Sequence, residues 1–315
     1  MLIAVKDLYY LAIIALVKIT SWSSSHRQRE RVVRGIAWSA YRLSRTKRQL
    51  VERNLSEAFD EALSEDQKRK IVKSSFYAFW GDMFSWLPSG AERAKLKRAE
   101  VRGIERLHEA LRNERGVILW ESNGFAGRHV AKQILHEHGF SIQQVHGATD
   151  LGGFLIDDSS ATWVRRSLVK RFFQNCERQF VSDIIYLPSS SSLAFTRALL
   201  TRLKQNAIVC SSGDGKVGQR LIPIRFLGRT EFFATGMVSL AKLSGASILP
   251  MFCIQENDEQ TTLIIERPIH IDTSVERERG LQDCVAQYAN LLESYVRRYP
   301  GHYRNWHALG ESARR

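Results

Sequence analysis

The sequence predicts an α/β protein: a mixed, mostly parallel sheet flanked by helices, behind a helical amino-terminal region that faces a membrane. Three observations predict it. From Gly116 onward, short and wholly apolar runs alternate with amphipathic stretches of about a dozen residues, the rhythm of buried parallel strands and their crossover helices. Residues 27–102 instead place apolar side chains three and four apart with few breakers. The first 22 residues carry an unbroken apolar run with dense basic residues behind it.

In MLIAVKDLYYLAIIALVKITSW, the apolar run from Leu8 to Val17 lies between Asp7 and Lys18. A membrane-crossing helix needs about 20 apolar residues, so this run is too short to span. Lys18-Ile19-Thr20-Ser21-Trp22 is also a poor cleavage site for a signal peptide. A helix lying in the bilayer interface fits, with Tyr9, Tyr10 and Trp22 at headgroup level, so residues 1–22 are expected to be an interfacial membrane helix. Arg27, Arg29, Arg31, Arg34, Arg42, Arg45, Lys47, Arg48 and Arg53 follow. Each cation near an anionic leaflet contributes about 1 kcal/mol. The alternative is a solvated basic face over a buried amino-terminal helix.

Next come the helices of residues 27–102. Ser64 is an N-cap with Gln67 at the capping-box position, and Pro88-Ser89-Gly90 ends the following helix. Gly116 to Trp120 is the first buried strand. A glycine-containing turn and a helix striped by Val130, Ala131, Ile134 and Leu135 lead to a second strand, Ser141 to Val145. Further strands are expected at 183–187, 207–210, 223–227, 246–255 and 262–266, with helices at 192–204, 235–244 and 281–299. No repeat, low-complexity segment or linker interrupts them.

Composition fits one sizeable core: 315 residues, 44% hydrophobic and 25% charged. Disordered, fibrous and polytopic membrane classes are excluded. The 46 Lys and Arg against 33 Asp and Glu leave +13, a surface that seeks polyanions. Nucleic acid is the weakest of these, because no zinc-finger, RNP or helix-turn-helix context surrounds the basic residues. The four cysteines, Cys176, Cys210, Cys253 and Cys284, form no CxxC pair or His-Cys cluster. They read as reduced, cytosol-facing thiols, with no structural metal.

In an open α/β sheet, ligands gather at the carboxyl ends of the strands. Three polar clusters sit there: 121–129 after the first strand, 146–150 after the second, and 211–220 after the strand at 207–210. Glu121 closes an apolar strand and needs a partner, which Arg128 one turn away can supply. His129 falls off the helix's apolar stripe and is expected in solvent. His146 and Asp150 are placed in a loop. Asp214-Gly215-Lys216 is a glycine-rich turn with a cation but lacks P-loop spacing, and GxSxG, HExxH and GxGxxG are absent.

Taken in order, several blocks resemble one family. These are 53–59 (RNLSEAF), 101–107 (VRGIERL) leading into 116–119 (GVIL), 213–215 (GDG) through 223–228 (PIRFLG), 244–250 (SGASILP) and 299–307 (YPGHYRNWH). The chain is similar to the lysophospholipid acyltransferase superfamily, in the branch of bacterial lipid A biosynthesis lauroyl/myristoyl acyltransferases.

The resemblance implies an acyltransferase-like α/β domain over 23–315. It implies transfer of a fatty acyl group from acyl carrier protein or coenzyme A to a lipid or glycolipid hydroxyl, on the cytoplasmic face of the bacterial inner membrane. The acyl thioester is a co-substrate; no cofactor is implied, and the partners are membrane lipids and the carrier. The family's signature is a histidine, four residues, then a carboxylate, directly after the first strand. Here Asn123 and Arg128 stand at those positions. Asparagine accepts no proton at neutral pH and arginine orients no base. Three readings follow: Glu121 or His146 is the base with Asn123 or a backbone N–H as oxyanion donor; positioning alone suffices for a thioester; or the protein is a catalytically inactive, lipid-binding relative. Asp214 lies in the acceptor-side block. Ser122, Gly124, His129, Lys216, Arg220 and Arg225 complete the expected substrate contacts, the cations meeting phosphate.

Overall fold

The computed structural model describes residues 5–310 apart from 23–25, 61, 148–149, 152–153, 156–161, 188–192, 216–219, 256–259 and 273. Helices lead the chain: α1 (Val5–Trp22), α2 (His26–Leu43), α3 (Arg45–Phe59), α4 (Glu65–Ser85) and α5 (Gly90–Leu96). Ser64 and Gln67 cap α4 reciprocally, as their spacing predicts. Ser89 and Glu92 do the same for α5, so the Pro88-Ser89-Gly90 break both stops one helix and starts another.

The alternating part follows. β1 (Glu100–Arg102), α6 (Ile104–Arg112), β2 (Val117–Glu121), α7 (Arg128–Glu137) and β3 (Ile142–Gly147) come first. The two-residue strands β4 (Asp150–Leu151) and β5 (Phe154–Leu155) precede a π-helical turn (Val164–Val169) that runs into α8 (Lys170–Glu177). Then come β6 (Asp183–Leu187), α9 (Leu193–Lys204), β7 (Ile208–Ser212), β8 (Leu221–Phe226), β9 (Arg229–Ala234), α10 (Gly236–Ser244), β10 (Ser247–Gln255), β11 (Thr261–Ile265) and α11 (Arg277–Arg298).

One sheet of order β1-β11-β10-β2-β7-β3-β6 holds the molecule together, parallel everywhere except between β10 and β11. The period of two splits its core. Ile118, Trp120, Val209 and Ile248 face α9, α10 and α11, whereas Val117, Leu119, Ile208 and Leu249 face α6 and α7. A third cluster seats the amino-terminal helices: Ile13 and Val17 of α1 pack with Val33, Trp80, Phe84 and Phe173.

Two expectations are corrected. β8 leaves the main sheet and pairs only with β9, a strand the sequence pattern does not reveal. Pro223 withholds a ladder donor, and Leu227 and Gly228, both at positive φ, close a two-residue hairpin turn. His146 is in β3 rather than a loop, because β6 pairs with that strand as far as Gly147. The expected cap in the serine run before α9 lies outside the described residues.

Helix α1 lies against the body. Asp7 is fully buried; its Oδ1 accepts from Thr162 Oγ1 at 2.7 Å and from Arg165 Nε at 3.1 Å. No described helix is long and apolar enough to cross a membrane.

Candidate active site

The polar clusters after β2, β7 and β3 are brought together, because those strands are neighbours in the sheet. Beyond Glu121 the chain turns through 122–127 into α7, and Asp214, just past β7, holds that turn. Its Oδ1 accepts from the Asn123 N–H at 2.6 Å and from Ser212 Oγ at 2.9 Å. Its Oδ2 accepts from Ser122 Oγ at 2.6 Å and from the Gly124 N–H at 3.0 Å. Such charge-assisted bonds are the strong ones. Further along, the Phe125 N–H donates to Ser122 Oγ at 2.9 Å, Ala126 to the His302 carbonyl at 2.9 Å and Gly127 to Asp82 Oδ1 at 2.7 Å. Every backbone N–H from 123 to 127 is therefore bonded inside the protein, which leaves none of these five to stabilise an oxyanion.

Two tyrosines press on this loop and require glycine beneath them. A Cβ on Gly124 would stand 2.3 Å from the Tyr303 ring, and one on Gly213 2.4 Å from the Tyr288 ring. Tyr288 OH also donates to the Glu121 carbonyl at 3.0 Å. From the other side, Arg304 Nε donates to the Asn123 carbonyl at 2.9 Å and its N–H to the Gly124 carbonyl at 2.8 Å. Asp82 Oδ2, 3.0 Å from Arg304 Nη1, completes that buried clamp.

Asn123 is half-buried, between buried Ser122 and Gly124. Its Oδ1 accepts from Arg128 Nη1. A guanidinium has donors and no acceptor, so the carboxamide oxygen must face it and Nδ2 must face away. No described residue accepts from that amino group.

Below the loop runs a buried chain of charge. Arg128 Nη2 lies 3.4 Å from Glu121 Oε1, and Lys132 Nζ lies 3.7 Å from Glu121 Oε2 and 2.9 Å from Glu177 Oε1. Gln144 joins the two halves, accepting from Lys132 at 2.8 Å and donating to Glu121 Oε1 at 3.1 Å. His146 Nε2 ends the chain, 2.6 Å from Glu177 Oε2. Burial pushes the Glu121 carboxyl up, but Arg128 and Lys132 outweigh it and hold the group below its ordinary range. Lys132 and His146 likewise outweigh burial at Glu177 and hold it well below.

The remaining expected contacts disperse. His129 is not in solvent: it is buried with its ring 3.9 Å from that of Trp86, and burial, with Lys132 and Arg128 nearby, holds its pKa well below the ordinary value. The apolar stripe missed it because α7 is buried on nearly all sides. Both Asp214 oxygens are engaged by the loop rather than presented outward. Arg220 is exposed and paired with Glu278 at 2.6 Å. Arg225, also exposed, lies beside the hairpin turn, at the end of β8 remote from Asp214. Lys216 lies outside the described residues.

Sequence reasoning missed Lys132, Gln144, Glu177, Asp82 and Arg304. Arg304 alone carried a signal, inside the 299–307 block. The others sit within helices or strands, and their partners are fixed only by the tertiary fold.

Compared with known protein families, residues 2–309 match the family described as bacterial lipid A biosynthesis acyltransferase. The chain belongs to that family. No curated protein matches it at a significant level. Membership makes the protein an acyltransferase of the lipid A biosynthesis type.

Proposed function

We propose that this protein is a membrane-associated acyltransferase that moves a fatty acyl group from an acyl thioester, carried by acyl carrier protein or coenzyme A, to a lipid or glycolipid hydroxyl at the cytoplasmic face of the bacterial inner membrane. The observation that carries the chemistry is the Asn123 carboxamide, oriented by Arg128 with its amino group unclaimed. In this reading Nδ2 donates to the thioester oxygen as it takes up negative charge, in place of the backbone N–H groups of 123–127, which are engaged. The acceptor oxygen bonds to the acyl carbon, the carbon–sulfur bond breaks, and the hydroxyl proton leaves to a base while the thiolate departs.

Of the two bases that the sequence offers, Glu121 is neutralised by Arg128 and Lys132. His146 has a carboxylate partner instead, and Glu177 would stabilise the imidazolium that forms. His146 lies level with Glu121 two strands away, roughly 10 Å across the sheet, with Lys132 and Glu177 between the two. Membrane association is supported by α1. Leu8, Ala12, Ile19 and Trp22 line one exposed side of it, and Arg27, Arg31 and Arg34 are exposed on α2, the helix that follows.

A second reading, a catalytically inactive lipid-binding relative, is favoured by one fact: the residue presented by the loop is a donor, while Glu121 is held in ion pairs and Asp214 in the loop's hydrogen bonds. Incubation with long-chain acyl carrier protein or acyl coenzyme A and a bacterial lipid extract separates the two. Transfer that survives Glu121→Gln and falls in His146→Ala supports the proposed mechanism. No transfer and no thioester hydrolysis with either donor would leave only the lipid-binding reading.

A further inference from the structure

Beside the Asn123 loop is a group of cations that the mechanism above does not use. Lys47 lies on the same face of α3 as Val51 and Asn54, the face that packs on the carboxyl-terminal segment; Asn54 Nδ2 donates to the Trp306 carbonyl at 2.5 Å. The Lys47 ammonium sits 4.4 Å above the Phe79 ring and 5.6 Å from that of Phe76. No described carboxylate pairs with it. Its charged neighbour is Arg304, already bonded to the Asn123 carbonyl and to Asp82. His307 faces the same two cations, and its Nδ1 is buried without a hydrogen-bond partner.

The rings attract the ammonium, but with a second cation beside it and no described carboxylate paired to it, its charge is incompletely compensated in the free protein. Burial and Arg304 push its ammonium down to about 8. Burial, then Lys47 and Arg304, push His307 down to about 4, so near neutrality its imidazole is an uncharged partner. Packing does not require this: the rings would accept a methionine in place of the ammonium stem. An incoming anion would resolve it, pairing the ammonium, sharing the outer side of the Arg304 guanidinium and meeting the orphaned His307 nitrogen. Arg304 would then link bound anion and catalytic loop, since the same side chain holds the Asn123 carbonyl.

We propose that Lys47, Arg304 and His307 form a phosphoryl-anion subsite next to the Asn123 loop, which takes a phosphate group borne by one of the two substrates. A phosphate is chosen over a carboxylate because three groups, one on α3 and two on the carboxyl-terminal segment, converge, and its oxygens serve several donors at once. The phosphate can belong to the thioester donor or to the lipid acceptor. The inference takes from the proposed function only the role of the Asn123 loop, and it is tested without turnover.

The test uses the full chain and two readouts: affinity for inorganic phosphate by calorimetry, and labelling of Lys47 by an amine-selective reagent, located by mass spectrometry. Saturating phosphate should slow Lys47 labelling at least tenfold, Lys47→Met should weaken phosphate binding about tenfold, and Lys47→Arg should restore most of it. Coenzyme A and phosphatidylglycerol vesicles then distinguish the sources: protection by the first alone assigns the phosphate to the donor, and by the second alone to the lipid. Undiminished phosphate binding by a folded Lys47→Met protein, or Lys47 labelling indifferent to all three probes, would overturn the subsite. Absence of acyl transfer with phosphate binding intact would instead count against the transferase reading alone.

Discussion

In the loop of residues 122–127, polar groups are buried and each backbone N–H from 123 onward has a protein acceptor. Along α1 the reverse holds: Leu8, Ile19 and Trp22 are 58%, 63% and 85% exposed. Both depart from the usual sorting of residues, in opposite directions, and buried polar groups and exposed apolar patches are the two informative kinds of departure. The loop has five bonded N–H groups and one free amide, an arrangement that fixes a single donor in space. The helix has a buried face, with Ile13 and Val17 in the core, and an open one that no described residue covers. Loop geometry therefore bears on chemistry and helix exposure on location, and each can be broken without the other.

The largest effect is expected beneath the loop. Lys132 is buried between Glu121 and Glu177, so Lys132→Met leaves two buried carboxylates short of a cation and should cost about 3–5 kcal/mol in urea unfolding. A cost below about 1 kcal/mol would show that the network is more solvated than its burial indicates.

Acid should act through the same region in two windows. The His129 pKa is depressed in the fold, so unfolding takes up a proton as pH falls below the unfolded value near 6.5, and stability declines from there. Glu177, also depressed, contributes stability that is present above about 4.5 and lost as pH falls toward its lower folded pKa. His129→Phe, which keeps the ring against Trp86, should make the first window shallower, leaving the part that His307 contributes, and leave the second. A stability profile unchanged between pH 6.5 and 5 would contradict the neutral, buried imidazole.

The smallest effect on stability is expected at α1. Ile19→Glu with Trp22→Glu should shift unfolding by no more than about 0.5 kcal/mol, since both residues are exposed. The same pair should abolish flotation with anionic vesicles. Deleting residues 1–22 would be a worse test, because it removes Asp7, Ile13 and Val17 and uncovers the cluster they fill. Undiminished flotation of the double variant would assign membrane binding to the basic surface alone.

The strands were legible where they are buried on both faces, as β2 and β10 are, because a short, wholly apolar run bounded by polar residues suits a buried strand and little else. β9 was not, since its alternating burial and charged start resemble a loop, and neither was the π-helical turn before α8. At the site, Glu121, Asn123, Arg128 and Asp214 were legible from the strand-end rule. Lys132 and Glu177 were not: they are 45 residues apart in sequence and meet only because α7 and α8 pack together. The Asp82–Arg304 clamp joins α4 to the carboxyl-terminal segment and has the same character.

The central claim is that the loop works through the Asn123 amide as a donor. Its most direct test is the turnover number for acyl transfer in Asn123→Ala against wild type, at saturating thioester. A fall of about 10²–10³ in kcat with little change in KM is predicted, the usual consequence of removing one oxyanion donor. An Asn123→Ala protein that transfers acyl groups at the wild-type rate would contradict it.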